Sequence, residues 1–298
     1  MKIRFWGTRG SIPTPGKQTV RYGGNTPCVE LRLDNDDLII LDAGTGIRNL
    51  GDRIMERGSS IKAYILITHP HWDHIQGFPF FKPAFISGNE LTLMGTESEK
   101  ITLRRIVSDQ MNKIYFPVQV NELKAKLNFR PVKEEEVDVF DAKVRTLYVN
   151  HPAYCLGFRV NHGGKSVVYI SDNEPFDRQN SSTMSNVEPS VVEKYKNTKG
   201  DPNQRLFDFV KDCDVLIHDT TYTPEEYVDR VGWGHSHYLF TVRVAAEGNV
   251  KQLILFHHDP SHSDDKVDDI VAKCQKEIKH RGYGFRCQAA AEGLEIEC

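Results

Sequence analysis

Residues 69–74 read His-Pro-His-Trp-Asp-His and directly follow the strand-like run Ile61–Thr68. Imidazole and carboxylate are the side chains that suit Zn²⁺ and similar divalent ions. Four such groups in six residues are costly to hold together unless a cation neutralises and orients them. Alternate positions can converge on one ion while the next two reach a second. One loop cannot close two coordination shells, so the fold must bring further ligands from the ends of other strands. His151 follows Val144–Asn150, Asp172 follows Ser166–Ser171, and His257 follows Lys251–Phe256. Alone, each reads as a turn residue; the shared placement, one step past an apolar run, makes them a set. The six cysteines are scattered without a CxxC pair and read as free thiols, so the shell is His and Asp only.

The rest of the chain reads as strands first, then strands mixed with helices. Ile3–Trp6, Cys28–Leu33 and Leu38–Leu41 are short runs bounded by Gly, Pro, Asn and Asp. Thr45–Arg57 has helical spacing and stops at Gly58. Val137–Val149 reads as two strands around Asp141-Ala142, and Cys155–Val160 with Ser166–Ser171 as a hairpin turned at Asn161–Gly164. Gln204–Cys213 predicts a short helix, Val215–His218 a strand, Tyr238–Glu247 a helix and Lys251–Phe256 a strand. Lys266–Lys279 is an amphipathic helix, and Phe285–Ala289 and Leu294–Glu297 are terminal strands. Two stacked sheets with helices outside satisfy this order. Two segments give weak signals and read as insertions: residues 82–133, around a helix at Ser98–Asn112, and residues 173–203.

The chain resembles the metallo-β-lactamase superfamily of binuclear metallohydrolases. The matching residues are the HxHxDH of His69–His74, the His of NHPAY (His151), the Asp of YISDNEP (Asp172) and the first His of LILFHHDP (His257), with FWGTRGS, YGGNTPCVEL and LDAGTGI upstream. The resemblance implies an α+β fold, an αββα sandwich, here one domain over residues 1–298 carrying the two insertions. It also implies two divalent metal ions: His69, His71 and His151 on one, Asp73, His74 and His257 on the other, and Asp172 bridging. Zn²⁺ is the expected ion; Mn²⁺ and Fe²⁺ also suit these donors. Asp42 of LDAGTG is either a turn residue or an acceptor for a ligand imidazole.

Within the superfamily, DVLIHDTTY and GHSHYLF are similar to the HEAT and GHST motifs of the phosphodiesterase branch, with Asp219 in place of the Glu and His237 in place of the Thr. That likeness implies His235 as the catalytic imidazole, held by Asp219; with Asp73 these are the candidate catalytic residues. His237 and His258 could reach a phosphate or be ordinary polar residues, and His262 is left open. The implied activity is hydrolysis of a small nucleotide phosphodiester, plausibly a 3′,5′-cyclic nucleotide. The alternatives are a ribonuclease Z-like tRNA 3′-processing nuclease or a lactone or thioester hydrolase. The basic stretch 100–133, with Arg104, Arg105, Tyr115 and Phe116, could touch a nucleotide, or be a solvated face. A net charge of −3 exerts no global pull toward nucleic acid or membrane. No apolar run approaches the roughly 20 residues of a membrane helix, and no signal peptide is evident. The expectation is a cytoplasmic enzyme, and relatives suggest a homodimer.

Overall fold

The computed structural model describes residues 1–58, 60–98, 100–177 and 189–298. In chain order its elements are β1 (Lys2–Gly7), β2 (Cys28–Arg32), β3 (Leu38–Leu41), α1 (Gly46–Glu56), β4 (Lys62–Ile67), α2 (Trp72–Ile75), β5 (Glu90–Gly95), α3 (Leu103–Asp109), β6 (Lys126–Pro131), β7 (Glu136–Val139) and β8 (Ala142–Tyr148). There follow β9 (Leu156–His162), β10 (Lys165–Ile170), α4 (Pro189–Lys196), α5 (Gln204–Val210), β11 (Val215–Asp219), α6 (Pro224–Tyr227), α7 (Tyr238–Glu247), β12 (Gln252–Phe256), α8 (Asp264–Arg281), β13 (Arg286–Ala289) and β14 (Glu295–Glu297).

The strands form two seven-stranded sheets among the described residues, ordered β14-β1-β2-β3-β4-β5-β6 and β13-β12-β11-β10-β9-β8-β7. Each sheet is antiparallel on one side and parallel on the other. Strands β3 to β6 run parallel in the first, and β10 to β13 in the second. β3 shows why such strands read as unbroken apolar runs: all four residues are buried. Ile39 and Leu41 join the core between the sheets, with Phe5, Leu31, Phe158, Tyr169 and Phe256, while Leu38 and Ile40 face the outer layer of α1 and α3. On the far side α5, α7 and α8 cover the second sheet. The layering is helix, sheet, sheet, helix, as expected.

α8 is longer than its periodicity predicts, because its ends are chemically marked. Ser263 caps it by accepting the Lys266 N–H, Asp264 and Asp265 open it, Lys279, His280 and Arg281 close it, and Gly282 follows at φ +72°.

Residues 82–133, read from the sequence as an insertion, supply β5 and β6, two strands of the first sheet. β5 (ELTLMG) is buried almost throughout and has no alternation to reveal it, and β6 (KLNFRP) is a half-exposed edge strand ending in proline. The helix expected at Ser98–Asn112 shrinks to α3, capped by Thr102, because Ser98 and Ile101 pair as a β-bridge. Arg104 lies over the Phe129 ring at 5.2 Å and Arg105 pairs with Asp109 at 3.2 Å. Of the second expected insertion, residues 178–188 lie outside the described residues, and Pro189–Lys196 is α4. All six cysteines are free thiols. No helix among the described residues is long and apolar enough to cross a membrane.

Candidate metal centre

The C-terminal ends of the parallel strands from both sheets meet at one edge. β4 runs into the His69–His74 loop, β10 into Asp172, β11 ends at Asp219, and β12 runs into His257. Crevices at the carboxyl ends of parallel strands are where open α/β sheets place their ligands. Antiparallel β8 delivers His151 to the same place.

The side chains form overlapping groups whose ligand atoms lie within 4.8 Å of one another: His69, His71 and His151; His69, His74 and Asp172; Asp73, His74 and His257; Asp172, His235 and His257. His151 Nε2 is 3.1 Å from His71 Nδ1. Asp73 Oδ2 is 3.1 Å from His74 Nε2 and 3.2 Å from His257 Nε2. Asp172 lies between the sets, with Oδ1 3.2 Å from His74 Nε2 and Oδ2 3.8 Å from His69 Nε2. All seven sequence-predicted ligands therefore converge. All are buried except His71, so the cluster opens to solvent on that side.

These residues fit divalent cations. His69 Nε2, His74 Nε2 and Asp172 Oδ1 are buried with no partner of good hydrogen-bond geometry, a costly arrangement for a protein interior and a suitable one for ligand lone pairs. Burial lowers the His69 and His71 pKa values and takes His151 down to about 3, so these rings are neutral, as ligands must be. For Asp73 and Asp172 burial favours protonation, but the surrounding imidazoles outweigh it and keep both ionised. His74 is the reverse: burial opposes its charge, yet Asp73, Asp172 and Asp42 hold its pKa well above the ordinary value. Those carboxylates carry the negative charge that a cation would neutralise.

Other groups orient the ligand rings. Asp42, itself at φ +60°, accepts from His74 Nδ1 at 2.8 Å, from the Thr68 N–H at 2.8 Å and from the Tyr169 hydroxyl at 2.8 Å. Of its two readings, the acceptor role matches this geometry. The Thr221 hydroxyl lies 3.2 Å from His257 Nδ1, and the Gly234 carbonyl accepts from His151 Nδ1 at 3.0 Å. The Ser11 N–H donates to Asp73 at 2.8 Å. Tyr169 and Ser11 were not singled out from sequence, although FWGTRGS flagged the loop that carries Ser11.

His235 stands beside the cluster, with Nδ1 3.2 Å from Asp219 Oδ2 and 3.7 Å from Asp172 Oδ2. Burial works against its charge, but Asp219 outweighs it and the pKa rises to about 9. Asp219 is fully buried and also accepts from the N–H groups of Asn173, Ser236 and Thr221. The weaker histidine candidates have structural partners. His237 caps α7, accepting from the Phe240 N–H. His258 is buried with Nε2 2.9 Å from the Ala290 carbonyl, and burial takes its pKa to about 3. His262 pairs with Glu226 at 3.1 Å.

Residues 38–195 match the β-lactamase superfamily domain. Ribonuclease Z of Thermoplasma acidophilum is 25% identical to this chain, over 94% of the chain and 92% of its own length. The metallo-β-lactamase fold protein YhfI of Bacillus subtilis superposes with a TM-score of 0.68 at 17% identity, covering 100% of this chain and 98% of that one. Zn²⁺-bound PqqB of Methylobacterium extorquens superposes with a TM-score of 0.64 at 14% identity, covering all of both chains. This chain belongs to the β-lactamase superfamily.

Proposed function

We propose that this chain is a binuclear, metal-dependent phosphodiester hydrolase, with residues 1–298 acting as one domain. The observation that carries the reading is the pairing of His235 with Asp219, 3.2 Å apart, at the edge of two ligand sets that share Asp172. His69, His71 and His151 would hold one ion, Asp73, His74 and His257 the other, and Asp172 both. Zn²⁺ suits these thiolate-free donors and is the ion named for PqqB. Two dications, when bound, would offset the charge of a phosphodiester and of its transition state.

The chain's own residues supply the rest. The Asp219 carboxylate, 3.2 Å from His235 Nδ1, favours the imidazolium, which can give its proton to a departing alkoxide. Asp219 stabilises the imidazolium and fixes the ring through Nδ1, leaving Nε2 for the leaving-group oxygen. A thioester hydrolase, whose thiolate departs without a proton, has less use for that donor. The substrate we propose is a small nucleotide diester, a 3′,5′-cyclic nucleotide. The ribonuclease Z relative, matched over 92% of its length, favours a second reading, cleavage of a precursor tRNA.

The test is a hydrolysis panel on zinc-loaded protein: cyclic mononucleotides, a nitrophenyl phosphodiester, a lactone and a precursor tRNA. Turnover of the diesters but not the lactone supports the reading, and the ratio of cyclic nucleotide to tRNA cleavage decides the substrate. Lactone hydrolysis with no diester cleavage would overturn it. His235→Ala should slow a nucleotide diester by roughly 10²–10⁴-fold while an activated nitrophenyl diester is cleaved nearly as fast as by the parent.

A further inference from the structure

We infer that Glu174 is a positioning residue for the proton donor: its carboxylate latches the turn 232–234 and so fixes the backbone from which His235 projects. This rests on the reading of His235 as leaving-group acid.

Glu174 lies two residues beyond Asp172, on the chain leaving β10, and is 1% exposed. A carboxylate buried that deeply is costly unless donors surround it. Three neutral donors do. Oε1 accepts from the Tyr227 hydroxyl at 2.8 Å and the Gly232 N–H at 2.7 Å, and Oε2 accepts from the Gly234 N–H at 2.9 Å. Two of the three come from the turn just before His235.

Besides these bonds the turn has the Trp233 N–H on the Arg230 carbonyl at 3.1 Å and His151 Nδ1 on the Gly234 carbonyl at 3.0 Å. Val228, Val231 and Trp233 are 71%, 44% and 61% exposed, so the stretch buries little apolar surface of its own. Its backbone is nonetheless tightly specified. Gly232 and Gly234 sit at φ +92° and +87°, and a Cβ on Gly234 would lie 2.3 Å from His151 Nδ1. Glycine is required there so that the Gly234 carbonyl can reach His151.

Beyond His235 the chain is tied to the same strand end. The Ser236 hydroxyl donates to the Asn173 carbonyl at 2.5 Å, and the Ser236 N–H donates to Asp219 at 3.1 Å. His235 is thus clamped on both sides: Gly234 by Glu174, and Ser236 by Asn173 and Asp219. The segment that carries Asp172 also carries Glu174 and Asn173, one group of each clamp. A general acid helps only when it is held at the leaving oxygen, so a loosened turn should cost proton transfer rather than binding.

Glu174→Gln replaces one acceptor oxygen with an amide that faces a donor, and Tyr227→Phe removes one bond without touching the turn. Both are compared with His235→Ala at saturating zinc, on a nucleotide diester with an alkoxide leaving group and on a nitrophenyl diester. Glu174→Gln should lower kcat on the nucleotide diester roughly tenfold or more, with KM and zinc content unchanged and the nitrophenyl rate near parental. Tyr227→Phe should act in the same direction more weakly, and it decides the matter if Glu174→Gln does not fold. On the His235→Ala background, Glu174→Gln should add little. The inference is overturned, with the acid reading intact, if His235→Ala is leaving-group selective but Glu174→Gln slows both substrates equally, slows neither, or adds fully to His235→Ala. If His235→Ala is itself unselective, the acid reading falls and this inference falls with it.

Discussion

On the two-ion reading, Gly10→Ala should empty one of the two metal sites without replacing a ligand. Gly10 lies in the loop after β1, with its N–H donated to the His258 carbonyl at 3.0 Å. Its φ is outside the left-handed region, so alanine brings no backbone strain of its own. The cost lies in space. A Cβ at Gly10 would sit 2.2 Å from Cε1, 2.3 Å from Nδ1 and 2.9 Å from Nε2 of His257. Carbon atoms settle at about 3.5–4.0 Å, so the ring must retreat by about 1 Å. It has little freedom to do so, because Thr221 meets both its Nδ1, at 3.2 Å, and its carbonyl, at 2.9 Å. A metal–ligand distance tolerates only about ±0.2 Å, so His257 should be lost to the ion it would share with Asp73 and His74. Affinity at that site should fall by at least the roughly 10–100-fold that loss of an outer-shell partner costs. The overpacking should also destabilise the metal-free protein by about 1–3 kcal/mol. Elemental analysis after gel filtration, with a zinc titration by calorimetry, reads this directly. The parent should hold two equivalents; the variant should hold one tightly and recover the second only in excess zinc. Two equivalents at parental affinity in Gly10→Ala would refute the assignment of His257 as a ligand.

On the bridging reading, Asp172→Ala should lose metal and activity together, because it would remove a donor from both shells; a stable single equivalent by elemental analysis would contradict that role. Asp42→Ala leaves the Thr68 N–H, His74 Nδ1 and the Tyr169 hydroxyl without their buried acceptor. At about 1–3 kcal/mol for each unsatisfied donor, its denaturant midpoint should drop sharply even in metal-free protein, and an unchanged midpoint would show that water replaces the carboxylate. Glu226 has its pKa pulled from 4.5 to about 2: burial opposes this, but the Thr223 N–H and His262 outweigh it. A depressed carboxyl stabilises the fold above its ordinary pKa and loses that contribution as pH falls from 4.5 through about 2. Metal-free parent should therefore lose thermal stability across that window more steeply than Glu226→Gln, and parallel melting curves would count against the pair.

The set of His and Asp residues that converge was legible in the sequence because strands and their ends are local. A run such as Ala63–Ile67 declares a strand buried on both faces, and a polar ligand one step past it declares the strand's end. The same logic found His151, Asp172 and His257, and the carboxylate partner of His235 came from motif likeness. It failed at β5 and β6, where burial on both faces in one and an exposed edge in the other erase the alternation that marks a strand. It left open whether His237 and His258 reach a phosphate or are ordinary polar residues, since capping a helix and meeting a buried carbonyl leave no mark in composition. Nor could it see Ser11 or Tyr169 at the site, or the donors that surround Glu174. His257 lies 184 residues from the Asp73 it faces, and His151 lies 80 from His71. Contacts at such separations follow from how the two sheets stack, and so do the second partners of each ring. The chain's local pattern determined which residues end strands; only the packing of one sheet edge against the other decided which of them meet, and what holds them there.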